Sequence, residues 1–153
     1  MASWKEFETD APDLARAVRA RFEATKHHVL AGLRKDGSPR VSGTEVAFKD
    51  DDIGLGSMAG AVKARDLKRD GRFALHANPG DGSMEGGDSK LAGIAVLVPP
   101  AESAEPGRSD EGADGSDYFR LDIREVVHTS VVDDMLLIQT WRPGEGVREI
   151  RRK

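Results

Sequence analysis

The chain of 153 residues contains no cysteine, which excludes disulfide frameworks, thiolate nucleophiles and cysteine-ligated zinc. Its 2 Trp and 1 Tyr are too few for a platform that stacks on nucleic-acid bases. The longest apolar runs, such as residues 94–98, are too short to cross a bilayer, and the first eight residues lack the apolar run of a secretory signal. With 27 acidic and 23 basic residues, the chain has no overall attraction to nucleic acid or to an anionic membrane. We therefore expect a cytoplasmic protein with no nucleic-acid or membrane partner.

The length and the pattern of the sequence predict a single domain over residues 1–153. No linker is long enough to separate a second domain. Residues 99–117 contain Pro, Glu, Ser, Gly and Asp with almost no apolar residue, which predicts an irregular loop.

The first two thirds of the chain alternate between helical and strand-like patterns. A helix is predicted over Pro12–Ala24, because Leu14, Val18 and Phe22 recur at helical spacing after a proline suited to the first turn. Two arms, 27–33 and 40–49, flank an Asp-Gly turn and predict a β-hairpin, which a third strand ending at Ser57 extends into a meander.

Further short elements follow this meander. A charged helix is predicted over Ala61–Arg69 and ends at Asp-Gly. Strands are predicted over 72–77, 90–98, 118–128 and 135–141, and the last seven residues are expected to form a short basic tail. Six or seven strands joined mainly by tight turns favour a mainly β fold, an antiparallel barrel with peripheral helices.

One candidate binding site stands out, where the strand that ends at Ser57 leads into the charged helix. A hydroxyl, the unpaired N–H groups of a helix N-terminus and the ammonium of Lys63 converge there, which suits a phosphate group. The alternative is that Lys63 is an ordinary solvated helix residue.

The order of the motifs is similar to that of a known family. The motifs are Lys-Asp-Gly-Ser-Pro at 35–39, Lys-x-x-x-Leu at 63–67, Arg-Phe-Ala-Leu at 72–75, Phe-Arg-Leu-Asp-Ile-Arg-Glu-Val at 119–126 and Trp-Arg-Pro-Gly-Glu-Gly at 141–146. Together they resemble the pyridoxamine 5′-phosphate oxidase-like family, flavin-binding split β-barrels, and in particular an uncharacterised actinobacterial branch. The resemblance covers nearly the whole chain except 99–117.

The resemblance implies an FMN-binding split barrel that forms a homodimer with the flavin at the interface. It places the flavin phosphate against the strand after the hairpin turn, the end of the next strand and the start of the following helix. A C-terminal pair is implied to close the site from the other subunit. By position, the implied cofactor-binding residues are Arg40, Val41, Ser57, Met58, Lys63, Trp141 and Arg142.

Two positions depart from the pattern of the family's oxidases. Val62 stands where they commonly have an Arg before the helix lysine, and Glu45 stands where a Lys often ends the phosphate-binding strand. Because a carboxylate repels a phosphate, we expect Glu45 to face elsewhere or the ligand to sit differently. The C-terminal substrate-binding motif of true pyridoxamine phosphate oxidases is not evident, so vitamin B6 phosphate is not the expected substrate.

Two other chemistries are disfavoured by the residues. The chain has 4 His, of which His27 and His28 point to opposite faces of a strand, and no acidic residue follows a recognised ligand spacing, so no metal site is expected. Ser57 lies in Gly-Ser-Met rather than in a nucleophile elbow, so a serine hydrolase is disfavoured.

The sequence thus favours an oxidoreductase that binds FMN, or the related deazaflavin coenzyme F420, and acts on a small organic molecule. No residue stands out as its general acid or base. Two alternatives remain open: a non-catalytic barrel that carries or senses flavin or haem, and a ligand-free interaction domain.

Overall fold

The computed structural model describes residues 1–99 and 115–153, so most of the loop expected over 99–117 lies outside the described residues. The described part has three helices, α1 (Trp4–Asp10), α2 (Pro12–Glu23) and α3 (Val62–Arg69). It has nine strands: β1 (His28–Leu33), β2 (Pro39–Thr44), β3 (Ala47–Lys49), β4 (Asp52–Ser57), β5 (Arg72–His76), β6 (Asp88–Val98), β7 (Asp117–Val132), β8 (Met135–Arg142) and β9 (Gly146–Arg152). The expected mainly β fold with peripheral helices is confirmed.

All ladders between these strands are antiparallel, and the sheet runs in the order β2-β1-β5-β6-β7-β4-β3. The edge strands β2 and β3 are consecutive in the chain and are joined only by Glu45 and Val46. The chain itself therefore connects the two edges of the curved sheet, which gives a split barrel. β8 and β9 extend from the second half of β7.

The hairpin arm at 40–49 departs from the predicted meander. The arm is interrupted at Glu45 and forms two strands. The first, β2, pairs with β1, whereas the second, β3, pairs with β4. β4 therefore lies at the other side of the sheet and pairs with β7. Exposure alternates along the arm, since Thr44 is buried whereas Val41 is exposed.

Two elements at the chain ends were not predicted. Residues 4–10 form α1, which starts at a capping box in which Ser3 and Glu6 bond each other's backbone N–H groups. The last seven residues, expected to be a basic tail, instead lie almost wholly in β9, which pairs with β8 along its whole length. Most side chains of β9 are exposed, so backbone hydrogen bonds rather than burial hold this strand.

The core lies between the inner face of the sheet and the first two helices. α2 contributes Leu14, Val18 and Phe22, as its spacing predicts. Phe7 of α1 packs 4.8 Å from the ring of Trp141. No helix among residues 1–99 and 115–153 is long and apolar enough to span a membrane.

Gly93 lies at an irregularity in the β6–β7 ladder, where a side chain would have no room. A Cβ atom there would collide with the backbone carbonyl oxygen of Asp122. We predict that Gly93→Ala lowers the free energy of unfolding by about 2 kcal/mol, because the backbone must shift to admit the methyl group. Urea denaturation measures this change.

The matched control is Gly56→Ala in β4, where a Cβ atom has no neighbour within 4 Å. It is expected to leave the free energy of unfolding unchanged or slightly higher, because alanine restricts the unfolded chain. Equal unfolding midpoints for the two variants would contradict the close β6–β7 packing.

Candidate functional site

Ser57 and Lys63 occupy the predicted place, at the end of β4 and in the first turn of α3. Ser57 is 6% exposed, and its Oγ lies 3.5 Å from the carbonyl oxygen of Met58. The backbone N–H of Ala61 donates to the same Met58 carbonyl, at 3.1 Å, and closes the turn that leads into α3. The connection between strand and helix is therefore short and well defined.

The N-terminus of α3 carries no compensating group of its own. Its N-cap, Ala61, provides no side-chain hydrogen bond, and the first turn contains no acidic residue. The free N–H groups and the partial positive charge of the helix end are therefore left for another acceptor.

Lys63 extends from this turn toward β2. Its Nζ donates to the carbonyl oxygen of Gly43 at 3.1 Å. Burial lowers the pKa of Lys63, and the nearby carboxylate of Glu45 opposes that shift. A partly desolvated ammonium with a single backbone acceptor is well suited to bind an anion.

Glu45 lies near enough to Lys63 for its negative charge to act on the ammonium. Its carboxylate is 3.6 Å from Nζ of Lys26 and 3.8 Å from Nδ1 of His27, and its side chain is about half exposed. The ammonium groups of Lys26 and Lys63 thus offset a charge that would otherwise repel a bound anion.

Three exposed apolar side chains surround the same region. Val41 of β2 is 70% exposed, Met58 after β4 is 82% exposed and Val62 at the start of α3 is 47% exposed. Apolar surface beside a cationic helix end fits a ligand with a flat organic part and an anionic part.

Arg40 is engaged by a residue that the sequence analysis did not single out, Asp66 of α3. Arg40 Nε donates to Asp66 Oδ2 at 2.6 Å, and Arg69 Nη2 donates to Asp66 Oδ1 at 2.8 Å. Asp66 is 4% exposed. It is the single acidic residue in a helix with four basic ones, which is the only sequence signal of its role.

The charge of Asp66 is stabilised by these two guanidinium groups. Burial by itself would raise the pKa of this carboxyl, but hydrogen bonds from Arg69 and Arg40 and the charges of both outweigh burial and hold the pKa below its usual value. Asp66 therefore ties α3 to β2 as a carboxylate.

The two C-terminal candidates face opposite sides of β8. The indole of Trp141 is 2% exposed, packs in the core of its own chain and donates from Nε1 to Asp10 Oδ2 at 2.7 Å. This position does not present Trp141 to a partner subunit, contrary to the sequence-based expectation. Arg142 is about half exposed and pairs with Glu125, at 2.6 Å.

Two buried histidines, His28 and His128, form hydrogen bonds within the fold. His28 Nδ1 accepts from the backbone N–H of Asn78 at 3.0 Å, and His128 Nδ1 lies 2.8 Å from Ser89 Oγ. Burial lowers the pKa of both rings. Within the described ranges, no group of three or more His, Asp or Glu side chains is arranged to hold a metal ion.

Comparison of the sequence with protein-family models and with curated proteins finds no match. Solved structures do match. A pyridoxamine 5′-phosphate oxidase-related, FMN-binding protein from Nostoc punctiforme aligns with a TM-score of 0.66 and 10% identity over 94% of this chain and 96% of its own. PhzG from Burkholderia lata, solved with tetrahydrophenazine-1-carboxylic acid, aligns with a TM-score of 0.63 and 15% identity over 93% and 89%.

An F420 reductase also aligns, with a TM-score of 0.51 and 16% identity over 66% of this chain and 88% of its own. The chain has the split-barrel fold of the pyridoxamine 5′-phosphate oxidase-like proteins. At these identities the likeness establishes the fold, and the expected fold resemblance is confirmed.

In this split barrel, the attachment of α3 is testable through Asp66. We predict that Asp66→Asn lowers the free energy of unfolding at pH 7 by about 2 kcal/mol, because hydrogen bonds from two charged groups lose their anionic acceptor. Urea denaturation as a function of pH measures the effect.

The sign of the pH dependence follows from the lowered pKa of Asp66 in the folded state. The stabilisation is complete above the unfolded pKa of about 4 and is lost as the pH falls through the lower folded value. The difference in free energy of unfolding between the wild type and Asp66→Asn should therefore become smaller as the pH falls below about 4. Asp13→Asn, whose side chain is 94% exposed, is the control. A difference that stays constant down to pH 2 would contradict an ionised Asp66.

Proposed function

We propose that this split barrel binds a flavin-type cofactor, FMN or the deazaflavin F420, and acts as an oxidoreductase on a small organic molecule. The observation that carries the proposal is the arrangement of the Lys63 ammonium and the uncapped N-terminus of α3 beside exposed apolar side chains. The FMN-binding protein and the F420 reductase that share the fold support a cofactor of this class.

The phosphate of the cofactor is assigned to Lys63 and to the first turn of α3. The free N–H groups there donate to phosphate oxygens, and the ammonium adds a charge that moves with its flexible stem. Ser57 and the backbone of Met58 form the opposite side of this phosphate position. Arg40 contributes less directly, because its Nε is already bonded to Asp66.

The ring system of the cofactor is assigned to the apolar surface next to this phosphate position. Val41 and Met58 offer exposed side chains for its faces and edges. A flavin supplies the hydride and electron chemistry when bound, and the residues of the chain hold it and exclude water. The assignment needs no general base, and none of the described residues near Lys63 is arranged as one.

A homodimer completes the proposed site. One row of paired residues runs across the outer face of the sheet. Its members, in order across the strands, are Val41, Ala31, Ala74, Ala92 and Glu125. Glu125 forms an ion pair with Arg142. Paired residues of an antiparallel ladder share a face, so Arg142 lies on the same outer surface as Val41. Two copies facing each other through this surface would bring Arg142 of one to the ligand of the other.

The assembly is testable without a cofactor. We predict a homodimer in sedimentation at micromolar concentration, because the outer row of small and apolar residues is otherwise left in water. A protein that sediments only as a monomer would remove Arg142 from the proposed site and leave the Lys63 region to act alone.

The cofactor assignment is testable at Lys63. We predict that Lys63→Met weakens binding of the phosphorylated cofactor about ten- to a hundredfold, because it keeps most of the stem and removes a hydrogen bond to a charged group. The measurement is a fluorescence titration of the apo protein with FMN and with F420.

The matched control is Lys5→Met on α1, whose side chain is 56% exposed. Lys68 on α3 is a poorer control, because its Nζ pairs at 2.9 Å with Asp117 of β7, whereas Lys5 Nζ lies 3.8 Å from Glu8 of its own helix. If Lys63→Met binds as well as Lys5→Met, Lys63 is an ordinary helix residue. If the wild type binds neither ligand, the barrel is a carrier of another molecule or an interaction domain.

A further inference from the structure

The loop between β5 and β6, residues 77–87, has an irregular backbone. Positive φ angles occur at five of its residues, Gly80, Gly82, Met84, Gly86 and Gly87. Hydrogen bonds within the loop are local, such as the one from the backbone N–H of Gly80 to Asn78 Oδ1 at 2.9 Å. A loop of this kind keeps one conformation only where neighbouring elements hold it.

Arg21 of α2 anchors the second half of the β5–β6 loop. Its Nη1 donates to the carbonyl oxygen of Glu85 at 3.1 Å. The guanidinium also packs closely against Gly80, since a Cβ atom at that residue would lie 2.5 Å from Arg21 Nη2. Because a guanidinium keeps its charge across the pH range in which proteins are folded, this anchor does not depend on pH.

His28 of β1 anchors the start of the same loop through a ring nitrogen that accepts a hydrogen bond. Its Nδ1 accepts from the backbone N–H of Asn78 at 3.0 Å, and the residue is 3% exposed. An imidazole nitrogen accepts only when it carries no proton, so this bond requires the neutral ring. Protonation of Nδ1 would place two N–H groups against each other and break the bond.

The surroundings of His28 favour the neutral ring. Burial lowers its pKa, hydrogen bonds to the backbone of Phe22 and Thr25 oppose this shift, and the charge of His27 adds to it. Among the described residues, no carboxylate acts on the ring to raise its pKa. The anchored loop is therefore most stable at neutral pH, and it loses stability as the pH falls below about 6.5, the ordinary pKa of histidine.

His128 lies under the other end of the loop, but its hydrogen bond differs in kind. A Cβ atom at Gly87 would lie 2.8 Å from its Nε2, and its Nδ1 lies 2.8 Å from Ser89 Oγ. Because a hydroxyl both donates and accepts, the bond to Ser89 survives protonation of the ring. Burial lowers the pKa of His128, the charge of Asp88 opposes this shift and the charge of Arg21 adds to it. The anchor that a proton breaks is therefore the one at the start of the loop.

The start of the loop is close, along the sheet, to the region around Lys63. The last residue of β5, His76, pairs with Val29 of β1, and Val29 pairs with Gly43 of β2. Gly43 is the residue whose carbonyl oxygen accepts from Lys63 Nζ. Asn78 thus lies two residues beyond a row of paired residues that leads to the candidate site.

We propose that the β5–β6 loop opens in response to pH: protonation of His28 releases the start of the loop at Asn78, while Arg21 keeps the second half attached. Release frees the chain directly after β5, beside the row of residues that leads to the candidate site. The device does not depend on the cofactor assignment, because it requires neither Lys63 nor a bound ligand.

The test is hydrogen exchange of backbone amides in the cofactor-free protein, followed by NMR between about pH 5 and pH 8 and corrected for the intrinsic exchange rate. The protection factor of the Asn78 amide is expected to be constant above about pH 6.5 and to fall about tenfold per pH unit below it, because opening takes up one proton. The amide of Leu91, in the β5–β6 ladder, should stay protected. Protection of Asn78 that does not change with pH, or an equal loss at Leu91, would overturn the proposal.

A pair of histidine variants separates the anchor from its neighbour in the chain. His28→Asn keeps a neutral acceptor near the position of Nδ1 and takes up no proton there, so the protection of Asn78 should no longer depend on pH. The matched control is His27→Gln, whose side chain is 73% exposed and which should keep the pH dependence of the wild type. PH dependence that persists in His28→Asn, or that disappears in His27→Gln, would contradict the proposal.

The wild-type protein provides a second measurement that needs no variant. The ring signals of His28 report its protonation in the closed loop, and the protection factor of Asn78 should stop falling at the pH where this ring titrates. A protection factor that levels off with the ring of His128 instead would assign the proton to the other end of the loop and overturn the proposal.

Discussion

The sixteen residues of β7 hold the barrel together, because this strand hydrogen-bonds to three others. It pairs along most of its length with β6, at its start with β4 and in its second half with β8. The ladder with β4 fixes Ser57 opposite Asp117, and so fixes the point from which the chain enters α3. The position of the candidate site thus depends on backbone pairing far from the site itself.

A second constraint, the carboxylate of Asp66, sets how α3 lies on the barrel. It joins α3 to β2 through Arg40, and Arg69 of the same helix is its second donor. This buried charge holds the first turn of α3, with Lys63, beside β2.

Local patterns in the sequence were enough to predict most of the fold. The spacing of Leu14, Val18 and Phe22 gave α2, and the boundary of α3 was placed one residue early, at Ala61 rather than Val62. The Ser3 and Glu6 pair is a local sequence signal for the start of α1. The strand at 146–152 has no pattern of burial, so its pairing with β8 had no local signal.

The placement of the candidate residues was predictable only where they are neighbours in the chain. Ser57, Met58 and Lys63 lie within seven residues, and the structure keeps them at one connection. The bond between Arg40 and Asp66 joins residues 26 positions apart, and whether Trp141 faces inward or outward depends on the register of β8. The Arg40–Asp66 bond and the orientation of Trp141 are set by tertiary packing, which cannot be predicted from a local sequence pattern.

The most direct test of the flavin-type assignment is the identity of the ligand that accompanies the purified protein. An absorbance spectrum of the native protein, followed by a mass spectrum of the small molecule released on denaturation, gives that identity. The account predicts flavin or deazaflavin absorbance and the mass of FMN or F420. A colourless protein that releases neither molecule, and that takes up neither when both are supplied, would contradict it.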